Sequence, residues 1–281
     1  MSFSETSHRD PVSAMARSAA IEIIPLKSAE EKLLLAPHDT KITITCSPKF
    51  GIARTMELSA YAVKHGYQVV PHLAARQVSG RQELQEIVCR LSDVGVSELF
   101  VIGGDATGEP GGYPDSTTLL DDLAELDHNL ERIGVGCYPE GHPNITEEAL
   151  LEALHRKQAH ADYMVSQLCF EADTILGWLR RMRSDGVELP LRIGLAAPLS
   201  MRKLIELSVK IGVGSSVRFL SKQHGLVGNL LLGGAYKPEE LMEAFGEELQ
   251  SPELGIEGVH LFSFNQVQAA VDWQKRIVQR P

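Results

Sequence analysis

KITITCSPKFGIARTMELSAYAVKHGYQVVPHL, residues 41–73, decides the fold. It opens on KITITCS (41–47), a run rich in Ile and Thr. ARTMELSAYAVKHG (53–66) follows, with apolar residues at helical spacing and Gly66 as a stop. YQVVPHL (67–73) is a second apolar run. The reading is strand, helix, strand. Both strands are nearly continuous in apolar residues rather than alternating, as parallel strands buried on both faces are.

The same unit recurs in both directions along the chain. Further strands are expected at AAIEIIP (19–25), ELFVIGG (98–104), RIGVGCYP (132–139), ADYMVSQL (161–168), LRIGLAAP (191–198) and GVHLFSF (258–264). Helical patterns separate them at 80–95, 116–130, 146–161, 171–186, 200–212 and 237–249, and one follows at 265–278, with Thr146 placed as an N-cap. Eight strands alternating with helices predict an α/β protein, a single-domain (β/α)8 TIM barrel over residues 19–281, in preference to an open doubly wound sheet. Residues 1–18 read as a flexible lead-in, and SVRFLSKQHGLVGNLLLGG (216–234) as an extra helical segment between strands seven and eight.

Composition narrows the function. The 281 residues are 43% hydrophobic and 23% charged, an ordinary globular mix. A net charge of −10 argues against nucleic-acid or anionic-membrane partners. No run approaches the ~20 apolar residues of a membrane span. The N-terminus lacks the apolar core of a secretion signal, so a cytoplasmic location is expected. Cys46, Cys89, Cys137 and Cys169 show no CxxC spacing and read as free thiols, three of them in or at the end of apolar runs. The ten histidines are scattered without HExxH-type spacing, so no metal site is expected.

A barrel carries its chemistry at the C-terminal ends of its strands. In chain order the polar residues there are Glu22, Thr45 and Ser47, His72, Gly103-Gly104-Asp105, Tyr138 with Glu140 and His142, Gln167, and Asn265. Glu22 sits between two isoleucines. A carboxyl there needs a partner or a proton, and is either a paired structural acid or a proton donor. Asp105 caps a turn or meets a ligand beside glycines that allow close approach. His72 is a core histidine or a ligand contact. Arg156 and Lys157 are a solvated helix face or, if their helix begins near the site, phosphate contacts.

Six of these segments occur together in one order: IEIIP (21–25), ITITCS (42–47), PHLAA (71–75), GGD (103–105), YPEGHP (138–143) and SQLCF (166–170). From about residue 19 to 278 the chain resembles the methylenetetrahydrofolate reductase family, with YPEGHP the most specific segment. The resemblance implies reduction of 5,10-methylenetetrahydrofolate to 5-methyltetrahydrofolate by NADH or NADPH, with FAD relaying the hydride and a reduced folate as the small-molecule partner. It makes Glu22 the general acid, Asp105 the acid near the pterin and flavin, and Gln167 the residue binding folate and nicotinamide. Thr45, His72, Gly104, Asp105, Tyr138, His142, Arg156 and Lys157 match cofactor-binding positions.

The chain also departs from the family pattern. Gly103-Gly104-Asp105 replaces Arg-Gly-Asp, apolar residues around Leu150 and Ala153 replace an Asp and an Asn, and Glu22-Ile23-Ile24-Pro25-Leu26 replaces an aromatic first strand. Two routes follow: FAD held through substitute contacts, or hydride given directly by nicotinamide. The same residues would serve the enzyme run in the oxidative direction of a demethylation pathway. A non-catalytic folate- or flavin-binding homologue is the other alternative, and retention of Glu22 and Asp105 argues against it. A Schiff-base lyase barrel wants a lysine at a strand end, which the apolar runs do not carry.

Overall fold

The computed structural model describes residues 10–104, 112–210 and 235–280. Eight parallel strands close into a barrel in sequence order: β1 (Ala20–Ile23), β2 (Lys41–Ile44), β3 (Gln68–Ala74), β4 (Glu98–Ile102), β5 (Arg132–Cys137), β6 (Tyr163–Ser166), β7 (Leu191–Ala196) and β8 (Ile256–Phe262). The last strand pairs with the first, Glu22 opposite Phe262. The expected (β/α)8 barrel is therefore the fold. The proposed extra helix at 216–234 lies outside the described residues.

The continuous apolar strands are explained by two separate layers. Ile21, Ile23, Ile42, Ile44, Leu99, Val101, Val135, Ile193 and Leu261 point outward and pack under the helices in one large cluster. Val70, Phe100, Tyr163 and Val165 fill the barrel interior as a second. Gly134 and Gly194 make room there. A methyl on Gly134 would strike the Tyr163 ring, and one on Gly194 would lie 2.6 Å from the Phe262 ring and against Ser166 O.

The helices around the sheet are α1 (Pro11–Ser18), α2 (Ala29–Leu33), α3 (Gly51–Lys64), α4 (Arg81–Asp93), α5 (Ser116–Ala124), α6 (Glu147–Lys157), α7 (Ala172–Ser184), α8 (Met201–Lys210), α9 (Pro238–Ala244) and α10 (Val267–Val278). Thr146 caps α6 as expected, its Oγ1 accepting from Ala149 N at 3.3 Å. One expectation is corrected: residues 11–18 are not a flexible lead-in. Asp10 caps α1 through Val12 N and Ser13 N, and Pro11 is pre-set for the first turn. Val12 and Ala16, four apart on one face, are buried, and Gln274 Nε2 donates to Ala16 O and Ala19 O at 3.0 Å each. Helix α5 stops at Ala124, short of the predicted 130. The apolar spacing continues past its end because Leu126 and Leu130 pack on the core from a loop.

The N-terminal end of the barrel is closed by charge. Glu98 bonds Lys41 and also Arg192, the latter at 2.8 Å. Arg192 reaches Glu257 at 2.7 Å and lies 3.6 Å over the Tyr163 ring. Burial pushes the Glu98 carboxyl up, but the two cations outweigh it and hold it below its ordinary value. Removing one partner of such a buried group strands the others. Glu98→Ala is expected to cost about 3–5 kcal/mol, seen as a lower urea midpoint at unchanged slope. A loss under 1 kcal/mol would mean the cluster does not hold the barrel end.

Candidate active site

At the opposite end, three buried ionisable side chains from three strands meet. Glu22 on β1, His72 on β3 and His260 on β8 are 6%, 6% and 3% exposed. Glu22 Oε2 is 3.1 Å from His260 Nε2 and 3.8 Å from His72 Nε2. Phe100 and Phe262 frame the imidazoles, with ring centroids 4.7 Å from His72 and His260 respectively.

The β8–α10 turn fixes where Glu22 stands. Ser263 Oγ donates to Glu22 O. Asn265 accepts from Ile24 N at 2.7 Å and donates to Ile24 O at 2.8 Å. Phe264 and Asn265 take φ of 47° and 62° to do so. For a bulky Phe that is a strained backbone, of the kind that collects at working sites.

Around this centre, buried polar atoms lack hydrogen-bond partners: Thr43 Oγ1, Thr45 Oγ1, His72 Nε2 and Gln77 Nε2. All four belong to β2, β3 or the residues just after them. Native proteins seldom leave such atoms unpaired unless something else binds there. Gln167 closes the β6 side, its Oε1 accepting from Leu168 N at 2.8 Å. Gly104 has φ 85°, and a methyl on it would meet Ala74 Cβ at 2.9 Å. Arg76 crosses to this corner, bonding Gly104 O at 3.3 Å and Pro114 O at 2.9 Å.

The YPEGHP segment forms a turn, with Gly141 N donating to Tyr138 O at 3.0 Å. The Tyr138 and His142 rings meet edge to face at 5.1 Å. Behind this turn lies a cavity of about 230 Å3, walled by Leu150, Leu154, Trp178 and Met182 and reached by Tyr138 and Lys157. It sits beside the barrel mouth, between β5, α6 and α7, and not around Glu22.

The family model for methylenetetrahydrofolate reductase matches residues 34–276. The chain belongs to the methylenetetrahydrofolate reductase family. A yeast relative, methylenetetrahydrofolate reductase 2 of Saccharomyces cerevisiae, is 31% identical over 112 residues. That stretch is 36% of this chain and 19% of the yeast protein. Among solved structures, oxaloacetate acetylhydrolase shares 10% identity at a TM-score of 0.50, covering 91% of this chain and 78% of its own. A candidate lyase/mutase from Burkholderia cenocepacia shares 16% at 0.50, covering 95% and 87%. At such identities the likeness speaks to the barrel alone.

The chain spreads its expected site residues unevenly. Glu22, Thr45 and His72 share the barrel mouth, and Tyr138 and Lys157 share the adjacent cavity. Asp105 lies outside the described residues. Arg156 is elsewhere. Helix α6 begins near the mouth but runs down the barrel, and Gln158 after it bonds Gly186 O and Glu188 N near the start of β7. Arg156 on its last turn pairs with Asp121 at 2.7 Å. Lys157 folds back beneath Cys137, where burial holds its ammonium below the ordinary lysine range. The unpartnered Thr45 hydroxyl and the cation Lys157 suit the polar groups of a flavin, and Arg156 as placed does not contribute. Sequence reading missed His260, whose signal, a histidine flanked by Val and Leu inside a strand, matches that of Glu22. It also missed Arg76.

Burial drives His72 down to about 4, with Glu22 opposing and His260 adding to the effect. The unfolded histidine takes a proton near pH 6.5 and the folded one does not until about 4, so the unfolded state binds more protons between those values. Stability is therefore full above pH 6.5 and falls as pH drops toward 4, by about 1.4 kcal/mol per pH unit from this one group. Urea titrations from pH 7 to 4.5 should show His72→Gln losing stability less steeply than the native chain. Equal slopes would show that His72 is protonated in the fold.

Proposed function

We propose that the chain reduces 5,10-methylenetetrahydrofolate to 5-methyltetrahydrofolate with NADH or NADPH, and that Glu22 is the general acid. The observation that carries this reading is the Glu22 carboxyl, 6% exposed at the barrel mouth and 3.1 Å from a histidine nitrogen. Family membership supports the substrate class.

Glu22 donates a proton to the bridging nitrogen of the folate. That C–N bond breaks, the five-membered ring opens, and the one-carbon unit becomes an iminium. Hydride then adds to the iminium carbon and leaves a methyl group. Proton and hydride together balance the reduction. The Ser263 and Asn265 bonds to β1 keep Glu22 in place for this transfer. His260 Nε2, 3.1 Å away, orients the carboxyl. Phe100 and Phe262 pack against the imidazoles beside the carboxyl. The family resemblance assigns folate and nicotinamide to Gln167 and the pterin to Asp105. A flavin, when bound, supplies a hydride relay between nicotinamide and folate. Thr45, His72, Gly104 and Tyr138 would hold its ring side, and His142 and Lys157 its nucleotide side. Cysteines 46, 89, 137 and 169 form no disulfide among the described residues, which suits a reducing compartment, the cytoplasm. Among the described residues no helix is long and apolar enough to cross a membrane.

The test is oxidation of NADH and NADPH on adding methylenetetrahydrofolate, with and without added FAD. Folate-dependent oxidation is expected. Glu22→Gln, which keeps the shape and removes the transferable proton, should lower kcat by about 10²–10⁴-fold with the thermal midpoint little changed. Normal turnover by that variant would overturn the role of Glu22, and no folate-dependent oxidation with either nucleotide would overturn the assignment.

A further inference from the structure

Glu22, His72 and His260 are more than an acid with two neighbours. Their ligand atoms, one carboxylate oxygen and two imidazole nitrogens, lie within 4.8 Å of one another, and all three residues are buried. The Glu22 oxygen is 3.1 Å and 3.8 Å from the two nitrogens. A tetrahedral ion bound at about 2.0–2.2 Å needs its ligands roughly 3.3–3.5 Å apart. The two measured separations bracket that value. The His72 and His260 nitrogens lie within 4.8 Å of each other.

A second observation points the same way. His72 Nε2 is buried, directed at the Glu22 oxygen, and without a hydrogen-bond partner. At 3.8 Å it is too far to bond the carboxylate directly. An ion between them would satisfy both. The donor set also selects the ion. Two imidazoles and one carboxylate suit zinc-class transition ions, whereas magnesium and calcium prefer all-oxygen sites. Three strands supply three ligands, which leaves a fourth position for water.

We propose that Glu22, His72 and His260 form a three-ligand site for a divalent transition ion of the zinc class, and that its occupancy reversibly shuts off proton donation by Glu22. On binding, the carboxyl loses its proton to solvent and its oxygen takes the metal. No electron moves. The inhibitory half rests on the reading of Glu22 as the acid, and the binding half does not.

Calorimetric titration of the chelator-treated full chain with Zn2+ alone, without folate or nucleotide, tests the site. One equivalent should bind and raise the thermal midpoint. Co2+ in its place should give visible ligand-field absorption without a thiolate charge-transfer band. His260→Ala and His72→Gln, each checked for folding by circular dichroism, should weaken binding at least ten-fold; either alone suffices if the other does not fold. No binding, unchanged affinity in both variants, or a thiolate band would overturn the site. The activity arm is separate. Zn2+ should abolish reductase turnover, and a chelator should restore it. Binding lost in the variants but without inhibition of the native chain would uphold the site and overturn the acid role of Glu22.

Discussion

A carboxyl group in the middle of a buried strand is the constraint around which this barrel is arranged. Moved out of water, it must find partners or carry a proton. Glu22 finds one on β8 in His260 at 3.1 Å, while His72 on β3 stands close by at 3.8 Å. The backbone next to it is tied as well, by Ser263 and Asn265 on a turn with two left-handed residues. One of those is a phenylalanine, whose strained backbone is kept only because the bonds it enables are worth more. A group held this firmly is positioned before any ligand arrives.

The two ends of the barrel use charge in opposite ways. At the N-terminal end, Glu98, Arg192, Lys41 and Glu257 satisfy one another, and the Tyr163 ring lies under the guanidinium. That end is finished and contributes stability. At the C-terminal end, Thr43, Thr45, His72 and Gln77 keep buried polar atoms without partners. Those atoms are available to a ligand that enters the mouth. The interior between them is apolar, and Gly134 and Gly194 let the Tyr163 and Phe262 rings pack across it.

The cofactor side shows how helix direction overrides adjacency in sequence. Arg156 and Lys157 lie only a few turns beyond YPEGHP, yet α6 carries them down the barrel. Arg156 then finds an acid on α5, while Lys157, on the helix face of the buried Leu154, lines the cavity behind Tyr138. Arg76 reaches the strand-four corner from the β3 side and bonds the backbone on both flanks of it. Arg76 stands in the turn that follows β3, beside Gly103 and Gly104.

Much of this was legible from local signals. Apolar runs and helical periods mark all eight strands, because burial on both faces leaves its pattern in each segment separately. The strand-end rule then picked out Glu22, Thr45, His72 and Tyr138. Helix α1 was misread because its polar composition masked an Asp10–Pro11 start and a two-residue apolar face, and α5 because two loop leucines continued its period. What sequence could not decide is which strand ends meet. Glu22 and His260 are 238 residues apart, and they touch because β8 closes against β1. Closure is a property of the whole sheet, set by strand number, tilt and stagger together. The residue types belong to the sequence; the carboxylate with two imidazoles exists only in the closed barrel.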